Sequence, residues 1–103
     1  MAGDRSEQLY FKLCSDHLSV EAIPKSRIKV DLAKMKELPP RDCELVMWTP
    51  HFVVVRNQTG QEITVRGDGR MLIRNAKSEA IARQAAAEMM SLVQRDFRVE
   101  LRA

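Results

Sequence analysis

Few residues in this chain have the types and spacing that chemistry requires. Cys14 and His17 have the local spacing of a metal-ligand pair, but Cys43 and His51 are eight residues apart, wider than a usual zinc pair. No Gly-x-Ser-x-Gly segment supports a nucleophilic serine, and the glycines at 67 and 69 lack the third glycine of a dinucleotide fingerprint. We therefore predict no catalytic residue, no metal site and no cofactor, and we interpret the protein as a non-enzyme.

Length and composition are those of one folded domain. The chain has 103 residues, of which 45% are apolar and 30% charged, and its net charge is +3. The longest run without charge covers residues 45–55, whereas a membrane span needs about 20 residues. The first residues do not resemble a signal peptide, and the two cysteines favour free thiols over a disulfide. We predict a cytoplasmic protein without a membrane partner, and the mild positive charge permits nucleic acid as a partner without requiring it.

Alternating apolar residues predict a sheet in the middle of the chain. Four strand-length segments follow closely on one another, at 43–48, 52–56, 62–66 and 71–74. Polar turns separate them, and Gly67-Asp68-Gly69 is the clearest hairpin turn of the chain. Connections this short join antiparallel neighbours, so these strands predict a meander. Residues 28–30 and 97–101 alternate in the same way and are predicted as shorter strands.

Helical periodicity predicts one long helix over 78–95, with Ser78 as its N-cap. Its buried stripe is predicted to contain Ile81, Ala85, Met89, Leu92 and Val93, with Ala82 and Ala86 allowing close approach. A shorter helix, 32–38, follows Asp31 and ends at two prolines. Residues 4–18 fit an amphipathic helix, although 8–13 also fit a strand, and we favour the helix.

These elements predict an α+β, two-layer sandwich, in which a five-stranded antiparallel sheet has helices on one face. The other face is then left for water or a partner. Alternation puts Ile63 and Val65 on the covered face. The candidate nucleic-acid-binding residues on the opposite face are Arg56, Thr64, Arg66, Leu72 and Arg74. Arginine and threonine on an open sheet can contact the phosphate and sugar of nucleic acid.

Part of the sequence is similar to the TATA-box-binding protein family. Residues 69–78, Gly-Arg-Met-Leu-Ile-Arg-Asn-Ala-Lys-Ser, resemble the Gly-Lys-Met-Val-x-Thr-Gly-Ala-Lys-Ser stretch of that family. Arg83, Ala85 and Ala86 fall where the family has an arginine and an alanine pair, and residues 93–95 are similar to its Val-Gln-Lys ending. The order of strand, short helix, four-strand meander and long helix also matches one half of that protein.

The resemblance implies a single half-saddle repeat over 27–95, as in small archaeal proteins of this fold. It adds an N-terminal extension, 1–26, and a C-terminal strand or tail, 96–103, to one domain spanning 1–103. The groove-facing valine and threonine of the family fall on Leu72 and Arg74. Its wedge phenylalanines fall near Val65 or Arg66 and near Cys43 or Glu44, none of them aromatic. These departures argue against wedge insertion and leave contact with the nucleic-acid backbone open.

Two functions follow from the open sheet face. The first is a small module that binds DNA or RNA. The second is a protein-interaction or assembly module without a nucleic-acid role, in which Leu72, Trp48 and Phe52 anchor the partner if they are exposed. A contiguous apolar surface favours the second, and a stripe of arginine and lysine favours the first.

A single half-saddle also has an open sheet edge. Either a two-fold homodimer pairs that edge, or residues 1–26 or the last strand cover it.

Overall fold

A six-stranded antiparallel sheet forms the centre of the computed structural model, which describes residues 8–13 and 19–100. The elements in chain order are β1 (Leu9–Leu13), β2 (Ser19–Pro24), β3 (Lys29–Val30), α1 (Leu32–Glu37), β4 (Glu44–Trp48), β5 (Phe52–Arg56), β6 (Glu62–Arg66), β7 (Met71–Arg74), α2 (Glu79–Asp96) and β8 (Arg98–Val99). The sheet order is β1-β2-β7-β6-β5-β4, and β3 and β8 form a separate antiparallel ladder. The predicted α+β class, the meander and the long helix are confirmed, but the sheet has six strands and not five.

One apolar core lies between the sheet and the two helices. Alternate residues of each central strand point into it, and these are Val53, Val55, Ile63, Val65, Met71 and Ile73. From the helical side the core receives Leu32 and Met35 of α1 and Met89, Met90 and Val93 of α2. Both helices therefore cover the same face of the sheet, as the two-layer prediction requires.

The buried stripe of α2 is rotated from the predicted one. Ile81 is 38% exposed and Leu92 is half-buried, whereas Ala82, Ala86 and Met90 are buried. The alanine side packs inward because small side chains let the helix backbone approach the sheet closely. Periodicity identified the helix correctly but placed its apolar face one position off at the N-terminal turn.

The start of α2 carries a side-chain cap. The Ser78 hydroxyl accepts a hydrogen bond from the Ile81 backbone N–H at 3.1 Å, as the sequence predicted. We expect Ser78→Ala to lower the free energy of unfolding by about 1 kcal/mol, measured by urea denaturation, because an N–H of the first turn loses its acceptor. Ser78→Asp keeps an acceptor at the positive end of the helix, and we expect it to remain close to the wild type. An equal loss in both variants would contradict this role.

The N-terminal segment is a strand where we predicted a helix. β1 pairs along its whole length with β2, from Leu9 opposite Pro24 to Leu13 opposite Val20. Its exposure alternates, with Leu9 buried and Tyr10 60% exposed. The helical prediction over 4–18 is therefore wrong at Leu9–Leu13, and all but Gln8 of its remaining residues lie outside the described part of the chain. The spacing of the apolar residues fits a helix and a strand alike, and pairing with β2 selects the strand.

The edge of the predicted meander is covered from within the chain. β2 pairs with β7, with Ala22 opposite Met71. Ser19–Pro24, which belongs to the segment 1–26, therefore pairs the sheet edge for which a second copy was the other predicted partner. The last predicted strand, 97–101, is seen as Arg98–Val99, and it pairs with β3 instead of with the main sheet.

In the described part of the chain, neither helix combines the length and apolar character needed to span a bilayer.

Candidate functional site

The surface of the sheet opposite α2, which we call the open face, carries its side chains in cross-strand rows. One row, the charged row, contains Arg74, Glu62, Arg56 and Glu44, each directly opposite the next on neighbouring strands. These residues lie at one end of β7, β6, β5 and β4, respectively. The sequence of charges along the row is therefore plus, minus, plus, minus.

A second row, the central row, is mostly apolar. On β7, β6, β5 and β4 it contains Leu72, Thr64, Val54 and Met47, again paired from strand to strand, and the register continues it through Glu21 of β2 and Lys12 of β1. The first three side chains are half-buried by their neighbours, and Met47 is 51% exposed. Phe52 extends the same surface towards the other end of β5. On β4 to β7 this surface is mostly apolar, with Thr64 as its one polar member, and no described helix covers it.

The five residues predicted to bind nucleic acid all lie on the open face. Thr64 is directly opposite Leu72, and Glu62 separates Arg56 from Arg74 in the charged row. Arg66 is opposite Phe52 at the other end of the strands. Nucleic-acid binding by these residues stays a prediction.

Ion pairs reduce the positive potential of this face. Arg56 contacts Glu62 at 3.0 Å and Glu44 at 3.8 Å, and Arg66 contacts Asp68 at 3.2 Å. Arg74 is exposed and makes none of the ion pairs within the described residues. Two of the three predicted arginines therefore already face carboxylates.

Cations without such partners lie elsewhere on the molecule. Lys25, Arg27 and Arg98 border a pocket beside α2 and β8, with Gln8 and Gln94 hydrogen-bonded to each other at its wall. These three cations take part in no ion pair among residues 8–13 and 19–100. Lys25 lies over the ring of Tyr10, 5.1 Å from its centroid. Much of the excess positive charge is thus remote from the charged row.

Trp48 does not belong to the open face. A bulge between Leu45 and Met47 shifts the register of β4 against β5. One extra residue reverses which side chains point inward, so Met47 joins the open face and Trp48 turns to the core side. There the indole Nε1 donates a hydrogen bond to the Leu32 carbonyl at 2.9 Å. Trp48 is therefore not an anchor on the open face, whereas Phe52 and Leu72 remain available.

The cysteine and histidine side chains that could act as nucleophiles or metal ligands form no catalytic or metal site among the described residues. Burial, and to a lesser extent the negative charge of Asp42, raises the pKa of the Cys43 thiol, which disfavours the nucleophilic thiolate. Cys14 and His17 lie outside the described residues. Among the residues described, no three histidine, cysteine, aspartate or glutamate side chains form a group that could hold a metal ion.

A groove of about 380 Å³ lies between α2 and the loops before β4 and β6. Two of its polar lining residues, Asn57 and Thr59, are already hydrogen-bonded to Gln61 within the chain. Gln61 Oε1 accepts from Asn57 Nδ2 at 2.8 Å and from Thr59 Oγ1 at 2.6 Å. These bonds hold the turn between β5 and β6, which forms one wall of the groove.

The open face is thus the most distinctive surface that the described residues form. The chain matches no family model, and neither the curated proteins nor the solved structures contain a match to it. The resemblance to the TATA-box-binding protein family stays a prediction.

Proposed function

We propose that the protein is a small assembly module that binds another protein chain through its open face. The observation that carries this proposal is the mostly apolar part of the central row on β4 to β7, bordered by the charged row and, beyond Leu72, by Glu21 and Lys12. Specific protein interfaces combine an apolar centre with a polar rim in this way. Phe52, Leu72 and Met47 are the anchors, because they are the largest apolar side chains among these rows.

The charge on the open face supports a protein partner better than nucleic acid. A nucleic-acid interface gains its affinity from cations that replace counterions along the phosphates. Here Glu62 and Glu44 alternate with the arginines in the charged row, and Arg66 is paired with Asp68. Carboxylates at these places repel phosphate. Nucleic-acid binding through the predicted residues is therefore the alternative function.

A photo-crosslinking amino acid introduced at Met47 tests the proposal. Met47 lies in the central row and is 51% exposed, so the change leaves the core intact. We expect irradiation of cells expressing this variant at a low level to give a discrete protein adduct. The matched control is the same amino acid at Gln84, which is exposed on α2. That position faces away from the sheet and is expected to give none.

The mass and composition of the adduct separate the possible outcomes. An adduct from position 47 that resists nuclease supports a protein-docking face. An adduct that nuclease removes supports the nucleic-acid alternative and contradicts the proposal. Equal yields from both positions, or no adduct from either, also contradict it.

A further inference from the structure

The charged row is complementary to itself when it is read in the opposite direction. From β7 to β4 its charges run plus, minus, plus, minus, and from β4 to β7 they run minus, plus, minus, plus. A second open face, turned over and reversed across the strands, therefore presents an opposite charge at every position. Resting on the function proposed above, we infer that the partner is a second copy of this chain, bound face to face.

One symmetry axis achieves this match. A two-fold axis parallel to the strands, midway between β5 and β6 and just above the open face, reverses the order of the strands in the second copy. Arg74 then faces Glu44 of the second copy, and Glu62 faces Arg56 of the second copy. A two-fold axis perpendicular to the strands and lying along the row would instead oppose Arg74 with Arg74, and each glutamate with itself. Closed two-fold dimers are the commonest assembly of soluble proteins.

The same axis also matches the other rows. Leu72 faces Met47 of the second copy, and Thr64 faces Val54, so the apolar centre of one face covers that of the other. At the far end, Arg66 faces the ring of Phe52, an arrangement that favours a cation–π contact. Two strands of each copy, β1 and β2, extend past β4 of the other, because they lie outside the four strands that the axis superimposes.

The position of the charges fits an interface of this kind. The charged row lies at the ends of its four strands, so it forms the rim of the contact and remains close to water. Fully buried ion pairs would carry a large desolvation cost, which a rim position reduces. At ordinary strand spacing and rise the four strands span roughly 15–20 Å in each direction. An interface this small belongs to the weak, reversible end of protein–protein contacts.

Charge reversal within the row provides the test. An acidic-row variant carries Arg56→Glu and Arg74→Glu, and a basic-row variant carries Glu44→Arg and Glu62→Arg. Sedimentation of the wild type, from low to several hundred micromolar, is expected to show a dimer of about 24 kDa, twice the 11.8 kDa chain. Each variant alone opposes like charges and is expected to remain a monomer. An equimolar mixture of the two is expected to restore the dimer.

Control variants separate this interface from general effects of charge. Arg83→Glu with Arg95→Glu changes the net charge as much as the acidic-row variant does, but on the exposed side of α2. We expect it to dimerise as the wild type does. Circular dichroism and melting temperature verify that each variant folds. If a double variant does not fold, Arg56→Glu and Glu62→Arg provide the same test as single substitutions.

The results distinguish the identity of the partner from the use of the face. A wild type that stays monomeric at the highest concentration overturns the inference, as does a mixture that fails to associate or variants that dimerise by themselves. If the wild type is monomeric while position 47 crosslinks to a different protein, the docking face stands and only the second copy is wrong. If neither experiment shows a protein partner, both proposals fail.

Discussion

Met90→Asp is expected to unfold the protein. Met90 is 1% exposed and belongs to the core between α2 and the sheet. A carboxylate there has no water and no cationic partner, which costs several kcal/mol. Since a domain of this size is stable by only about 5–15 kcal/mol, one such charge removes a large part of the total. We expect circular dichroism to show loss of the cooperative melting transition.

The matched control is Gln84→Asp on the same helix. Gln84 is exposed, so this variant has the new charge and a similar helix propensity but leaves the core unchanged. We expect its melting temperature to stay near that of the wild type. If both variants melt alike, the side of α2 that faces the sheet has been assigned wrongly.

Gly69→Ala is expected to destabilise the protein more than Gly60→Ala. Both glycines have a positive φ, +88° and +91°, so each substitution places an L-residue in the left-handed region, at about 1–2 kcal/mol. The surroundings differ. A Cβ on Gly69 would lie 2.4 Å from Cγ2 of Ile28 and 3.0 Å from Cγ of Pro24, whereas a Cβ on Gly60 meets nothing within 4 Å. Relieving that overlap adds roughly 1–3 kcal/mol.

Urea denaturation of the two variants measures the difference directly. Because the backbone cost is common to both turns, the excess loss in Gly69→Ala reports the contact of the β6–β7 turn with Ile28. A double variant, Gly69→Ala with Ile28→Val, leaves Cγ2 in place and is expected to recover little. In contrast, Ile28→Ala removes that atom, so its cost and that of Gly69→Ala are expected to be less than additive. Equal losses at Gly60 and Gly69 would contradict the close approach.

Much of the sheet could be predicted because its signals are local. Strands β5, β6 and β7 have the predicted bounds, since each alternates cleanly and is bordered by a turn that contains glycine. β1 was not predicted, because Leu9 and Leu13 fit a helical spacing as well as a strand, and only pairing with β2 selects between them. The sequence thus predicted four of the six strands, β4 to β7, and tertiary pairing adds β1 and β2.

The candidate site was predicted in its position but not in its electrostatic character. Alternation alone put Thr64 and Leu72 on one face, and the pairing of β6 with β7 aligns them. The carboxylates that accompany the arginines depend on strand register, which one sequence does not reveal. Trp48 does not meet the condition set for an anchor, for a related reason. The bulge at Val46 reverses which of the following side chains point inward, and it leaves no mark in the pattern of apolar residues.

The pairing of β2 with β7 has a consequence for how the chain folds. β4 to β7 are joined by short turns and can pair as soon as they are synthesised. In contrast, β2 can pair with β7 only after Met71, the partner of Ala22, has been synthesised. Closing so long a loop is entropically slow compared with forming local hairpins. During synthesis the β1–β2 hairpin therefore emerges early but docks late. Until it docks, β7 is an unpaired edge that can pair with another chain, so slow docking lengthens the time in which misassembly can occur.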